Sequence, residues 1–367
     1  MSAPFGRFYL PGPTEVLPEV LAAQNRPMMG HRGAGTEALL AGIAEPMKAV
    51  FRTANPVYIA AASATGFMEA AVRNGVRNKV LCLVNGAFSK RFANIAAACA
   101  RETVIHDVPL GGTAEPDDVR RLLKETRADA VTVVHSESAT GALSPLAEIA
   151  KVVHEFDDVM LLVDAVTSMG ATPVETDQWG LDFVLTGSQK AFALPPGLAF
   201  GAASARLLER AKTLPGRGIY FDLVPYDTEI RKNQTPYTPA LSLIYALDAQ
   251  LKRIAANGGI EARWARHQAM QQRVERWVKE KGAALGGVDF LPKAGRRSWT
   301  VSCLKVPAGG TLTGGAVAKK MEARGLTIGA GYKALKDSTF RIGHMGDHTV
   351  EGLENLLANL EEVLKGA

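Results

Sequence analysis

The chain has 367 residues, of which 47% are hydrophobic and 22% are charged, and its formal net charge is +5 at pH 7. These are the values of a globular protein with a large core, so a disordered chain is excluded, and the scattered basic residues give no reason to expect a nucleic-acid partner. Three widely separated cysteines without a CxxC motif, no signal-peptide pattern and no run of about 18 apolar residues lead us to expect a cytoplasmic protein with neither disulfides nor a membrane span.

Seven short apolar runs are the predicted strands of the first part of the chain. In chain order they are VYIAAA (57–62), KVLCLV (79–84), ETVIHDV (102–108), AVTVVH (130–135), VMLLVDA (159–165), FVLTG (183–187) and GLAFGAAS (197–204). Predicted helices lie between most of them, at 69–77, 88–100, 116–126 and 146–156. Strands that are apolar on both faces and alternate with helices predict an α/β domain with a mainly parallel sheet covered on both sides.

The pattern changes after residue 238. A long helical region at about 242–281 leads to a strand at 299–306, a helix at 314–324, the strand candidates LTIGA and TFRIGHM, and a last helix at 349–364. These elements predict a smaller C-terminal α+β domain that the long helix joins to the first domain. We expect the large domain to cover residues 21–250 and the small domain residues 251–367.

Lys190, in the stretch FVLTGSQKAFALPPG (183–197), stands between two apolar runs. A charged lysine is almost never fully buried without a partner. The sequence therefore predicts a lysine that is neutral, paired or covalently occupied.

Residues that follow the predicted strands supply partners for this lysine, because ligands of open α/β sheets bind beyond the carboxyl ends of the strands. Ser63, Ala64 and Thr65 open a predicted helix, whose free backbone N–H groups can bind a phosphate, although helix capping alone also explains them. Asp164 ends the run VMLLVD. A lysine, a carboxylate and a phosphate cup together fit pyridoxal phosphate, whose aldehyde bonds to Lys and whose pyridinium nitrogen pairs with Asp.

An ordered series of motifs resembles the class V aminotransferases of fold type I, in particular the alanine–glyoxylate, serine–pyruvate and serine–glyoxylate aminotransferase group. The motifs are LPGPTEV, GHRG, SATGFMEA, NGAF, HSESATG, LLVDAVTSMG, TGSQKAFALPPG, TPYTPALSLIYAL and FRIGHMGD, and they span nearly the whole chain. The resemblance implies a seven-stranded sheet in a large pyridoxal-phosphate domain, an N-terminal arm at residues 1–20 that borders the active site, and a homodimer with active sites at the subunit interface.

The resemblance also assigns roles around the cofactor. It makes Lys190 the Schiff-base lysine and the proton carrier of catalysis, and Asp164 the partner of the pyridinium nitrogen. It places Phe88 against the cofactor ring and Ser138 at the ring hydroxyl. It assigns the phosphate to Ser63, Ala64, Thr65 and Gln189, with Thr235 and Thr238 contributed by the neighbouring subunit. Ala64 stands where relatives commonly have Gly, which leaves the donor set of the cup open.

Arg341 in TFRIG is the residue that the resemblance assigns to the substrate carboxylate, and a guanidinium suits bidentate pairing with that group. The segments Pro11-Gly12-Pro13 and Gly30-His31 match loops that border the substrate cavity, where His31 could contact the substrate, although loop rigidity explains these residues equally well. No metal site is expected, since Gly346 argues against a helix that would bring His344 and His348 to one face.

The resemblance implies a transaminase that moves an amino group from serine or alanine to glyoxylate or pyruvate with ping-pong kinetics. Phosphoserine transaminase is an alternative, because several basic residues could meet a second anion: Arg217, Arg231, Lys232, Arg296 and Arg297. A cysteine desulfurase is disfavoured, since that group carries His before its lysine and Gln189 stands here. A non-catalytic module that binds pyridoxal phosphate or a nucleotide is the remaining alternative, although no GxGxxG fingerprint occurs.

Overall fold

The structure is a computed structural model that describes residues 5–307 and 312–366. Residues 1–4 of the predicted N-terminal arm, and residues 308–311 and 367 of the predicted small domain, lie outside the described residues. The strands are β1 (Phe8–Tyr9), β2 (Val57–Ala60), β3 (Lys79–Val84), β4 (Glu102–Asp107), β5 (Ala130–Val134), β6 (Ser136–Glu137), β7 (Ala142–Leu143), β8 (Met160–Asp164), β9 (Phe183–Gly187), β10 (Ala199–Ala203), β11 (Val301–Lys305), β12 (Thr327–Ala330) and β13 (Thr339–Gly343).

The helices alternate with the strands in the first part of the chain and dominate after it. They are α1 (Pro18–Ala22), α2 (Ala34–Phe51), α3 (Ala64–Gly75), α4 (Ala87–Ala98), α5 (Pro116–Thr126), α6 (Leu146–Val153), α7 (Ala205–Thr213), α8 (Leu223–Ile230), α9 (Leu241–Ala256), α10 (Gly259–Lys281), α11 (Gly314–Glu322) and α12 (Val350–Lys365). None of the helices in the described residues is long and apolar enough to cross a membrane.

The seven predicted apolar runs form one sheet with the strand order β2-β10-β9-β8-β5-β3-β4. Five neighbouring strands, from β9 to β4, are parallel, and β10 is antiparallel to both β9 and β2. The prediction of an α/β fold with a mainly parallel seven-stranded sheet is therefore confirmed. Because β2 runs in the same direction as β9, the carboxyl ends of β2, β5, β8 and β9 meet at one edge of the sheet.

Strand β8 shows why these runs are apolar throughout. Leu161 and Val163 pack into the core on one face of the sheet, and Met160 and Leu162 pack into the core on the other. Burying a side chain of this size contributes about 1.5–3 kcal/mol. The strand is thus stabilised from both faces, and only its last residue, Asp164, is charged.

A second, four-stranded sheet has the order β1-β12-β13-β11. Strand β1 pairs in parallel with β12, so Phe8 and Tyr9 connect the N-terminal segment to the C-terminal part of the chain. This strand was not predicted, because two residues are too few to show an alternating pattern. The pairing fixes the start of the segment that leads to Pro11.

The long helical region expected at about 242–281 is two helices, which corrects the prediction of a single connecting helix. The chain breaks between α9 and α10 at Gly258 and Gly259, which have φ angles of 88° and 77°. Such angles are readily adopted by glycine and disfavoured for other residues. Ile260, at the start of α10, packs in the core of the large sheet, and Met270 packs in the core of the small sheet. The division of the chain at residues 20 and 250 stays a prediction.

Candidate active site

A cavity of about 160 Å³ opens at the edge where the parallel strands end. It is lined by Ser63, Ala64, Thr65, Met68, Phe88, Arg91, Val134, Ser136, Ser138, Asp164, Val166, Thr167, Gln189 and Lys190. Eight of the predicted site residues thus meet in one place, although they come from five separate segments of the chain. A larger cavity, of about 360 Å³, lies between α2 and β2 and contains none of them.

Lys190 follows β9 and is only 7% exposed. Its Nζ donates a hydrogen bond to the main-chain carbonyl of Pro11, and a β-carbon at Gly12 would overlap this amine. Burial lowers the pKa of Lys190 to about 8, and the positive charge of Arg341 adds to the effect, whereas the Asp164 carboxylate opposes it. The shift increases the fraction of neutral amine near neutral pH, which is the form that can attack a carbonyl carbon.

Asp164 is the last residue of β8 and is 3% exposed. Its Oδ1 accepts a hydrogen bond from the Val166 N–H at 2.7 Å. Burial raises the pKa of Asp164 to about 7, while the Val166 N–H lowers it. Within residues 5–307 and 312–366, no basic side-chain nitrogen lies within 4.0 Å of this carboxylate, so it is suited to a cationic group from a ligand.

Ser63 is the N-cap of α3, and its side chain makes no capping hydrogen bond. The first turn of the helix has free N–H groups and lines the cavity, and the helix dipole favours an anion at this end. Ala64 is the first helical residue and has no positive φ, so the methyl group that replaces the usual hydrogen causes no backbone strain. Arg91 lies beside this cup, with its Nη1 3.4 Å from Thr65 Oγ1.

Phe88 lies in the first turn of α4, with its ring centroid 6.0 Å from Lys190 Nζ. The ring of Tyr332 lies 5.9 Å from that of Phe88 at an interplanar angle of 16°. The guanidinium carbon of Arg91 lies 4.9 Å from the Phe88 centroid. The Phe88 ring therefore forms one wall of the cavity, and the side chains of Tyr332 and Arg91 pack against this ring.

Arg341 lies on β13 and contacts the rim of the cavity from the small sheet. Its Nε donates to the carbonyl of Ala330 at 2.9 Å, and its Nη1 donates to the carbonyl of Ser138 at 3.0 Å. Nη2 donates to none of the described residues, and no carboxylate in this part of the chain lies within 4.0 Å of the guanidinium. Two bonds thus fix its plane, and a charge and a donor group are left for an anion.

Besides Arg341, which contacts only the rim, four of the predicted residues do not line the cavity of the single chain. Thr235 donates to the carbonyl of Tyr237 at 2.7 Å, and Thr238 lies just beyond. Gly30 and His31 precede Arg32, which donates to Gln234 and to the carbonyl of Pro236. The two predicted segments are therefore next to each other at a second location.

Sequence reasoning missed three residues of the site, Arg91, Glu137 and Tyr332, and it placed Pro11 at the substrate cavity without predicting its contact with Lys190. Pro11 lay within a quoted motif, but only the structure shows that its carbonyl meets Lys190. Glu137 precedes Ser138 in HSESATG and is buried. Arg91 and Tyr332 contact Phe88. The motifs contained Pro11 and Glu137, whereas nothing local in the sequence distinguished Arg91 and Tyr332 from exposed residues.

The fold is that of the fold type I pyridoxal-phosphate enzymes. The aminotransferase class-V family model matches residues 22–355, and the chain belongs to this family. It is therefore a pyridoxal-phosphate-dependent aminotransferase.

Relatives of known name cover almost the whole chain. The L-aspartate–glyoxylate aminotransferase of Paracoccus denitrificans is 31% identical over 93% of this chain and 86% of its own length. The serine–glyoxylate aminotransferase of Methylorubrum extorquens is 30% identical over 96% of this chain and 89% of its own length. The crystal structure of an alanine–glyoxylate aminotransferase from Nostoc superposes with a TM-score of 0.90 at 29% identity and covers 99% of this chain and 96% of that one.

The residues of the cavity fit pyridoxal phosphate on three chemical grounds. Lys190 offers a buried amine with a lowered pKa, and Asp164 offers a buried carboxylate without a cation of its own. The start of α3, which follows β2, offers free N–H groups at the end of another strand of the same sheet. These are the three groups that the aldehyde, the ring nitrogen and the phosphate of the cofactor require.

Proposed function

We propose that this aminotransferase moves an amino group from a small L-amino acid, serine or alanine, to a small 2-oxo acid, glyoxylate or pyruvate. The observation that carries the proposal is the meeting of Lys190, Asp164 and the start of α3 in one cavity, with Arg341 at its rim. Glyoxylate recurs in the names of the relatives, which supports it as the amino acceptor.

Each of three side chains has a separate task in this proposal. When bound, pyridoxal phosphate supplies an aldehyde that captures amines and a ring that accepts the electron pair left when the α-proton departs. Arg341 holds the substrate carboxylate, Asp164 holds the proton on the ring nitrogen, and Lys190 carries the α-proton on Nζ. A pKa of about 8 suits Lys190 to both taking and returning this proton.

The donor and the acceptor use the same three side chains in turn. The product of the first substrate must leave before the second substrate can reach Arg341 and Lys190. Ping-pong kinetics follow from this single site.

The basic residues considered for a second anion do not favour the phosphoserine alternative. Each basic residue that was considered for a second anion has a carboxylate partner: Arg217 with Asp222, Arg231 with Asp227, Lys232 with Glu229, Arg296 with Glu115 and Arg297 with Glu275. None of the five lines the cavity at the strand ends.

The cysteine desulfurase alternative requires a reactive thiol near the lysine. Cys82 and Cys303 are buried, and none of the three cysteines lines the cavity. Burial raises the pKa of Cys303 to about 11, so this thiol is not a thiolate at neutral pH. The chain therefore lacks the group that accepts sulfur in that reaction at this cavity.

We also propose that the active enzyme is a homodimer in which Thr235 and Thr238 of one subunit reach the phosphate of the other. The side chains of Ile219 and Met28 are exposed, which supports this proposal. Met28 is close in sequence to Gly30 and His31, and Ile219 contacts Tyr237, which lies between Thr235 and Thr238 in sequence. Tyr237 donates to the main-chain carbonyl of Ile219.

A panel of amino donors tests the substrate proposal. Initial rates with serine, alanine, aspartate and phosphoserine would be measured against glyoxylate and against pyruvate, with varied concentrations of both substrates. We expect parallel double-reciprocal lines and the highest kcat/KM for serine or alanine. Preference for aspartate or phosphoserine by tenfold or more, or intersecting lines, would contradict the proposal; purified protein that stays colourless and takes up no added cofactor would favour the non-catalytic alternative.

A further inference from the structure

Glu137 is a fully buried carboxylate beside the cavity that none of the proposed roles uses. It is 0% exposed and ends the short strand β6, directly before Ser138. All of its hydrogen-bond donors in the described part of the chain are neutral. A buried carboxylate without a cation is costly unless its oxygens accept hydrogen bonds, so the partners show what it holds in place.

Those partners belong to two segments that line the cavity. Oε2 accepts from the N–H groups of Phe88 and Ser89, both at 3.0 Å, and from Ser89 Oγ at 3.1 Å. Oε1 accepts from the N–H of Ala139 at 3.1 Å. One carboxylate therefore caps the N-terminus of α4 and at the same time fixes the turn that carries Ser138.

Gly86 provides the space for this arrangement. A β-carbon there would overlap Glu137 Cγ and would lie 2.9 Å from its Oε2. The φ angle of Gly86 is 169°, an extended conformation that any residue adopts. The close approach of Glu137, and not backbone strain, is thus the reason for a glycine at this position.

Glu137 is also coupled electrostatically to the predicted catalytic pair. Its charge raises the pKa of Asp164 and that of Lys190. Burial raises the pKa of Glu137 itself, and the hydrogen bonds from Ser89, Ala139 and Phe88 oppose this shift. These groups therefore respond to one another across the cavity.

We propose that Glu137 is a positioning residue for the cofactor, because it sets the separation between Phe88 on one segment and Ser138 on the other. The inference rests on the proposed roles of these two residues at the cofactor ring. With the carboxylate in place, the aromatic wall and the hydroxyl are held for the ring before it binds. Without it, both segments relax and the cofactor must order them, which weakens binding.

Two variants test this inference by different routes. Glu137→Gln keeps the shape, but its NH₂ group must face the N–H of Ala139 or those of α4, so at least one hydrogen bond is lost. Gly86→Ala keeps the charge and displaces the carboxylate by its new methyl group. For apoprotein titrated with pyridoxal phosphate, we expect both variants to raise the Kd about tenfold or more and to change the visible circular dichroism of the bound cofactor.

Asp129→Asn is the matched control. Asp129 accepts from the N–H groups of Arg77, Asn78 and Lys79 at 2.8–3.0 Å, far from the cavity at the opposite edge of the sheet. We expect this variant to lower the melting temperature while it leaves the Kd and the dichroism unchanged. If Glu137→Gln lowered the melting temperature but left the Kd and the dichroism unchanged, Glu137 would have only a structural role. That result would overturn the inference.

A double-mutant cycle with Phe88→Leu shows whether Glu137 acts through this ring. We expect the two changes to be less than additive in the free energy of cofactor binding, because Glu137→Gln cannot displace an aromatic ring that Phe88→Leu has already removed. Full additivity would overturn the inference.

Borohydride reduction and peptide mass spectrometry of the wild type test the proposed function separately, since an adduct away from Lys190 would refute that function whatever the two variants do.

Discussion

Arg341 on the small sheet donates to the main-chain carbonyl of Ser138, which lies 203 residues earlier in the chain on the wall of the cavity. This bond and the one to Ala330 fix the guanidinium plane, and Nη2 has no acceptor among the described residues and can bind a ligand. The small sheet therefore contacts the wall of the cavity at the point where the proposed substrate carboxylate binds.

Replacing Arg341 tests this point of contact. We expect Arg341→Gln to raise the KM for the amino donor about 100-fold, since a charge-assisted bidentate pair contributes about 1.5–3 kcal/mol. Cofactor binding, followed by its visible absorbance, should change little. Arg297→Gln is the control, because Arg297 pairs with Glu275 away from the cavity. An unchanged KM in Arg341→Gln would remove the arginine from substrate binding.

Lys190→Ala should abolish transamination, with a loss in kcat of about 10⁴-fold or more, because no other described amine lines the cavity to carry the α-proton. The measurement is steady-state turnover of serine with glyoxylate. The variant should also show no covalent adduct after borohydride reduction, whereas the wild type should carry the adduct on the peptide that contains Lys190. Turnover close to that of the wild type would refute the mechanism.

The stability of the apoprotein should depend on pH through Asp164. Its pKa is about 7 in the fold and 3.8 for an unperturbed aspartate, so between these values the folded state binds more protons than the unfolded state. Stability contributed by this group is therefore fully present below about pH 4 and is lost as the pH rises through 7.

Asp164→Asn removes this titration. Relative to the wild type, the apoprotein variant should gain resistance to urea as the pH is raised from 5 to 7.5, and it should bind the cofactor more weakly. Urea midpoints of both proteins at these two pH values provide the measurement. A difference between the midpoints that stays constant with pH would show that the carboxyl group does not titrate in this range.

The homodimer proposal predicts a solution mass of twice the 39.0 kDa of the chain. Light scattering coupled to gel filtration measures it directly. Ile219→Glu places a charge in the exposed apolar surface beside Tyr237, and we expect it to shift the population toward monomer and to weaken cofactor binding. A wild-type mass of a single chain at micromolar concentration would contradict the proposal.

Most strands of the large sheet were predictable because they are apolar on both faces, as in β8, and because helices separate them; the edge strand β4 is the exception, since its burial alternates. The rule that ligands bind beyond the carboxyl ends of strands then selected Asp164 and Lys190 before any tertiary contact was known. The same local patterns explain why Pro116–Thr126 was predicted with both of its ends correct.

The remaining features depend on contacts between distant segments. The hydrogen bond from Lys190 to Pro11 spans 179 residues, and the bonds from Glu137 to the start of α4 span 48 and 49. No periodicity encodes such pairs. The break at Gly258 was missed for a different reason, since the helical pattern on one side resumes on the other side of the two glycines.

The carbonyl that receives the Lys190 amine is only two residues beyond β1, which is an edge strand of the small sheet. The hydrogen bond of the Lys190 amine therefore depends directly on the position of the N-terminal segment. A truncation or a bulky fusion that loosened Phe8 and Tyr9 from β12 would release the acceptor of the amine while both cores stayed intact. Chemical labelling of Lys190 would then report the attachment of the first residues of the described chain.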